Sequence, residues 1–138
     1  MTQYQILESF GGFDDFLLYL AISAVLLAAF LAIYVRITPY REVTLIREGN
    51  TAAAFSLSGT IIGMAIPLAN VVEYSVNPID MAIWGAIALV VQLLVFMVAR
   101  ITLPQIAQDI PAGKQASGIF LGAISIAAGL LNAACMTY

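Results

Sequence analysis

Long apolar runs separated by short polar punctuation dominate the chain, and four can be marked: about Phe16 to Val35, Ala52 to Val72, Met81 to Ala99, and Ser117 to Met136. Each is close to the roughly 20 residues that a helix rising 1.5 Å per residue needs to cross a hydrocarbon core about 30 Å thick. Lipid offers no partner for unpaired backbone groups, so helices are the expected form. The alternation of a membrane barrel strand is absent. The pattern predicts an all-α membrane protein with four transmembrane helices in a single integral membrane domain spanning residues 1–138.

The punctuation between the runs refines this picture. Asn77-Pro78 reads as a turn and helix start, with Asp80 where an acid suits a helix N-terminus. In the loop after the first run, Thr38-Pro39 reads as N-cap and first helical residue of a short interfacial helix near Tyr40 to Glu48. Gly49-Asn50 reads as its stop and the next start. Pro111-Ala112-Gly113 should end any helix in the second loop.

The two halves resemble one another. Arg36-Ile37-Thr38 recurs as Arg100-Ile101-Thr102, and Gly49-Asn50-Thr51-Ala52 as Gly113-Lys114-Gln115-Ala116. Each unit holds two runs, so both halves enter the membrane in the same sense. The expected arrangement is two tandem, parallel-repeat helical hairpins, residues 16–73 and 80–137.

Runs two and four carry small residues at helical spacing: Ser56, Gly59 and Gly63 in one, Gly118, Gly122, Ser125 and Gly129 in the other. Between helices in lipid, association comes from close backbone approach and interhelical hydrogen bonds, and small faces permit both. These residues are therefore expected to be helix-packing positions, whether within a chain or between copies. The bulkier runs one and three are the expected lipid-facing pair, and a homo-oligomer is expected.

Composition agrees. Of 138 residues, 62% are hydrophobic and 9% charged, and the mean hydropathy is +1.00. A soluble domain carries roughly a quarter charged residues, so a soluble core is excluded. The five cations, Arg36, Arg41, Arg47, Arg100 and Lys114, all fall in or beside the first and third connections. Cations stay on the cytoplasmic side, so both termini and the central turn are expected in the periplasm of a bacterial inner membrane, with two basic loops in the cytoplasm. The net charge of −3 gives no nucleic-acid footprint. No positive segment precedes the first run, as a cleavable signal would need, so that run is expected to be a true span. The lone Cys135 reads as a small apolar residue near a helix end.

Chemistry is sparse. All eight acids fall at helix ends or in loops and there is no histidine, so no intramembrane ionisable group, metal or cofactor is expected. The polar intramembrane candidates are Asn70, Gln92 and Asn132, with Ser56, Ser58, Thr60 and Ser125. Gln92 reads as interhelical glue. Pro67 removes a backbone donor and predicts a kink that frees a carbonyl near Gly63. Pro67, Asn70 and Asn132 then form either an outward vestibule or a bent helix satisfied by its neighbours.

Several segments together resemble a known family. They are Arg36-Ile37-Thr38-Pro39, Gly49-Asn50-Thr51-Ala52-Ala53-Ala54, Ile66-Pro67-Leu68, Trp84-Gly85-Ala86-Ile87-Ala88-Leu89, Gln92-Leu93-Leu94-Val95-Phe96 and Asn132-Ala133-Ala134-Cys135-Met136-Thr137-Tyr138. In these the chain is similar to the YjfL-type family of small bacterial inner-membrane proteins. That resemblance implies an inner-membrane location, a duplicated hairpin and no assigned catalytic residue. It also implies a setting in envelope maintenance, beside membrane-stress proteins of phage-shock type and glutathionylspermidine-synthetase-like enzymes. The functional expectation is a non-enzymatic scaffold that presents its basic loops to a peripheral membrane-stress partner or anionic lipid. The alternative is an oligomeric channel or small-solute facilitator lined by Ser56, Thr60, Asn70, Gln92 and Asn132. An enzyme is the least supported class, since no nucleophile has an adjacent base.

Overall fold

The computed structural model describes residues 1–136; Thr137 and Tyr138, with which the terminal motif, the second repeat and the expected periplasmic tail end, lie outside the described residues. The described chain is helical throughout: α1 (Gln3–Ser9), α2 (Phe13–Ile37), α3 (Glu42–Arg47), α4 (Thr51–Tyr74), α5 (Pro78–Thr102), α6 (Ile106–Asp109) and α7 (Gln115–Cys135). Four of these, α2, α4, α5 and α7, are long and apolar enough to cross a membrane. Each covers one predicted run and, apart from the C-terminal end of α7, extends past it. The 25 residues of α2 make a rod of about 37 Å, longer than the hydrocarbon layer alone requires.

The ends follow local chemistry. Asn77 caps α5, its Oδ1 accepting from the Asp80 amide at 2.8 Å. The Asp80 carboxylate accepts in turn from the Val76 amide at 3.1 Å, closing the turn between α4 and α5. Asn50 caps α4 by accepting from Ala53 at 3.0 Å. The residue before it, Gly49, has φ +87°, which a side chain would resist.

Two expectations need correction. Thr38 is not an N-cap: it closes α2, its amide bonded to the Tyr34 carbonyl, and α3 starts only at Glu42. Pro39 explains this, because proline pushes the residue before it into extended backbone (ψ 138° at Thr38). The Thr38 hydroxyl accordingly donates back to the Val35 carbonyl at 3.1 Å. The second correction is α1, a short helix that hydropathy gave no reason to expect; its seven residues are all exposed.

The bundle is built around α4 and α7, which make the most extensive contact in the chain. Only Phe30 and Tyr34 of α2 are buried, and the Tyr34 ring meets Phe96 of α5 edge-on, centroids 4.7 Å apart. The N-terminal half of α2 is exposed along Leu17, Leu18, Leu20 and Val25. Such faces suit lipid.

Candidate functional site

The α4–α7 seam is a backbone-to-backbone contact. A Cβ added to Gly59 would fall on the Cα of Gly122, one on Gly118 on the Ala52 carbonyl, and one on Gly63 on the Ser125 carbonyl. An added Cβ on Gly122 would lie 2.7 Å from the Phe55 oxygen. Gly129 faces the Gly63 carbonyl, the group that Pro67 leaves without its helical donor. Its bare backbone covers that oxygen closely enough for a Cα–H···O contact. Ser56 and Ser125 are buried along the same seam.

Two amides stitch this pair to α5, and a third ties α4 to α7 within it. Gln92 Nε2 on α5 donates to the Ser125 carbonyl at 3.3 Å. Asn132 Nδ2 on α7 donates to the Ala88 carbonyl of α5 at 3.4 Å, and Asn70 Nδ2 on α4 donates to the Ala133 carbonyl of α7 at 3.0 Å. Pro67 is buried within an uninterrupted α4. All three amides thus bond to backbone of the same chain, as polar groups in hydrocarbon need to.

The five cations gather at the opposite end from the α4–α5 turn, all of them exposed. Arg100 Nη1 donates to the Ile37 carbonyl at 3.0 Å, joining the ends of α2 and α5. Asn50 Nδ2 donates to the Ile110 carbonyl at 2.8 Å, joining the two loops. Lys114 pairs with Asp109 at 3.2 Å. The Ser117 hydroxyl and then Lys114 hold the Asp109 carboxyl below its usual range. Beside α6, a groove of about 540 Å³ is lined by Pro104, Gln105, Asp109, Ser117 and Phe120 among others.

Beneath the basic end lies a cluster that the sequence did not disclose. Glu42, the first residue of α3, is 1% exposed, with the buried Tyr34 and Tyr40 beside it and the buried Ser56 and Thr60 next to the tyrosine hydroxyls. Neither carboxyl oxygen of Glu42 makes a well-formed hydrogen bond, and the Tyr34, Tyr40 and Ser56 hydroxyls make none either, although the Tyr34 hydroxyl lies close enough to the carboxyl to favour its charged form. Burial pushes the Glu42 carboxyl up to about 8, with the Tyr34 hydroxyl alone opposing the rise. Burial and then the Glu42 charge push the Tyr40 hydroxyl above its ordinary range. Glu42 sits at a helix end between the spans, as expected, but its side chain is buried rather than solvated. An acid beside Arg41 in a polar loop reads as solvated; the flanking Tyr34 and Tyr40 were the available hint.

A domain family described as Domain of Unknown Function (DUF350) matches residues 6–136. The chain belongs to the DUF350 family. Within it, the chain is 42% identical over 133 residues to the "UPF0719 inner membrane protein YjfL" of Escherichia coli K12, covering 96% of this chain and 98% of the relative. It is 27% identical over 122 residues to the "UPF0719 transmembrane protein YshE" of Bacillus subtilis, covering 84% of this chain and 88% of the relative. No solved structure matches the chain. The YjfL-type resemblance read from the motifs is therefore correct, and with its four apolar helices this DUF350 chain is a multi-pass inner-membrane protein. The names of these relatives give a location and no reaction.

Proposed function

We propose that the protein is a non-enzymatic scaffold of the bacterial inner membrane that presents a basic cytoplasmic end to an acidic peripheral partner. The observation that carries this reading is the placement of all five cations on one exposed end, over a bundle whose interior is filled. Each such cation near an anionic membrane surface contributes about 1 kcal/mol to association. In this reading both termini lie in the periplasm, as the positive-inside rule requires. The resemblance to the YjfL-type family favours a partner in envelope maintenance.

The same reading takes the chain as two tandem hairpins of parallel sense, residues 16–73 and 80–137. Supporting it, α2–α3–α4 and α5–α6–α7 both run long, short, long. Gly49 and Gly113, with φ +87° and +80°, each stand two residues before the first residue of the last helix of its half.

The alternative of a channel between copies has less support. Ser56, Thr60, Gln92 and Asn132 are buried inside the chain, and Asn70 is half-buried with its amide bonded to α7. The small faces are taken up between α4 and α7, so a homo-oligomer would meet through larger side chains.

Affinity capture of the native complex from bacterial membranes tests the scaffold. A cytoplasmic partner should co-purify with the wild type and be lost when Arg41→Gln and Arg47→Gln are combined. Capture of no partner, or equal capture by the double variant, removes the proposal.

A further inference from the structure

Glu42 is held in the bundle without any of the partners that a buried carboxylate needs. The groups facing it are Tyr34 from α2 and Tyr40 from the preceding loop, and Ser56 from α4 lies beside those two tyrosine hydroxyls. None carries a positive charge. Arg100 of α5 lies near Tyr40 but spends a guanidinium nitrogen on the Ile37 carbonyl at 3.0 Å, and Arg41 is exposed. A bare carboxylate here would be uncompensated, whereas a neutral acid gains one O–H donor and finds hydroxyl oxygens around it.

Packing does not explain the acid. Glu42 opens α3 as Ile106 opens α6, and each is the buried residue of its short helix. In the second half an aliphatic side chain fills that place. The acid also stands at the mouth of a polar row: the Tyr34 hydroxyl faces Thr60 as well as Ser56. Thr60 Oγ1 lies 3.5 Å from Ser125 Oγ, and Gln92 reaches the Ser125 carbonyl with Nε2 while its own Oε1 stays unpartnered.

We propose that Glu42, with the hydroxyls of Tyr34, Tyr40 and Ser56, forms an internal proton-binding site at the basic end of the bundle. The carboxylic acid donates into the hydroxyl row and exchanges its proton with the neighbouring aqueous face. The donor set suits a proton: it holds one carboxyl among neutral hydroxyls, and no group of three His, Cys, Asp or Glu fit for a metal ion occurs among the described residues. The site stands whether or not the basic end binds a partner.

Infrared titration of the carboxyl groups in the full-length protein in lipid nanodiscs tests it. The other seven acids are exposed or half-buried, so a protonated-carboxyl band that persists above neutrality, disappears with a midpoint near 8 and is missing from Glu42→Gln supports the site. Complete ionisation in the ordinary carboxylate range, or a high-pH band surviving in Glu42→Gln, overturns it. If Glu42→Gln does not fold, Tyr34→Phe keeps the acid and removes the hydroxyl that opposes its rise, so the midpoint should move up. An unmoved midpoint in Tyr34→Phe overturns the site. A midpoint that falls as sodium replaces a bulky organic cation at constant ionic strength overturns the proton assignment in favour of a metal cation.

Discussion

At the scale of single residues, Glu42 sets the protein's response to pH. Its carboxyl titrates near 8 when folded against 4.5 for the free group, so the native state keeps a proton that the unfolded chain releases. Stability is then fullest below the lower value, declines as pH rises through neutrality, and levels off once the folded carboxyl ionises. The limiting slope is about 1.4 kcal/mol per pH unit. Asp109, held down by Ser117 and Lys114, acts in the opposite sense only below its ordinary 3.8 and leaves this window untouched. Reversible unfolding in detergent across the neutral range should show the decline in the wild type and a flat profile in Glu42→Gln; a flat wild type would be inconsistent with a buried acid. The flanking Tyr34 and Tyr40 are the one local hint of this burial, because Arg41-Glu42 itself looks like any solvated loop pair, and the docking of α3 on α4 turns the side chain inward.

Among the elements, the α4–α7 pair carries the packing. Gly59 and Gly122 let two backbones touch where even a methyl group has no room. Gly59→Ala should therefore cost about 1 to 3 kcal/mol, the usual range for an overpacked contact. Gly12, with nothing within 4 Å of an added Cβ, is the matched control. Gly12→Ala should change stability by less than about 0.5 kcal/mol. Steric-trap unfolding in bicelles can rank the two, and equal losses would mean that the seam is looser than these contacts imply. The small residues of both helices are readable from their spacing, as are the four spans. Whether those faces meet within one chain is not, since spacing alone describes a face and not its partner. The start of α3 escapes the sequence because Thr-Pro serves equally as a helix opening and a helix stop; the freed Thr38 hydroxyl bonding backward decides for the stop.

For the molecule as a whole, the proposed orientation rests on one asymmetry: the Lys and Arg side chains gather at one end, with none at the other. The positions of Arg36, Arg41, Arg47, Arg100 and Lys114 make this legible in the amino-acid sequence alone, because moving a guanidinium or ammonium group across hydrocarbon is unfavourable whatever the fold. The filled interior is not legible there, as Gln92, Asn70 and Asn132 suit a pore lining as well as an interhelical clasp until their partners are known. Reporters joined to the C-terminus of the full chain measure that asymmetry most directly. An alkaline phosphatase fusion should be active and a green fluorescent protein fusion dark, placing the C-terminus in the periplasm. A bright fluorescent fusion with an inactive phosphatase would put the basic end outside the cytoplasm and contradict the account.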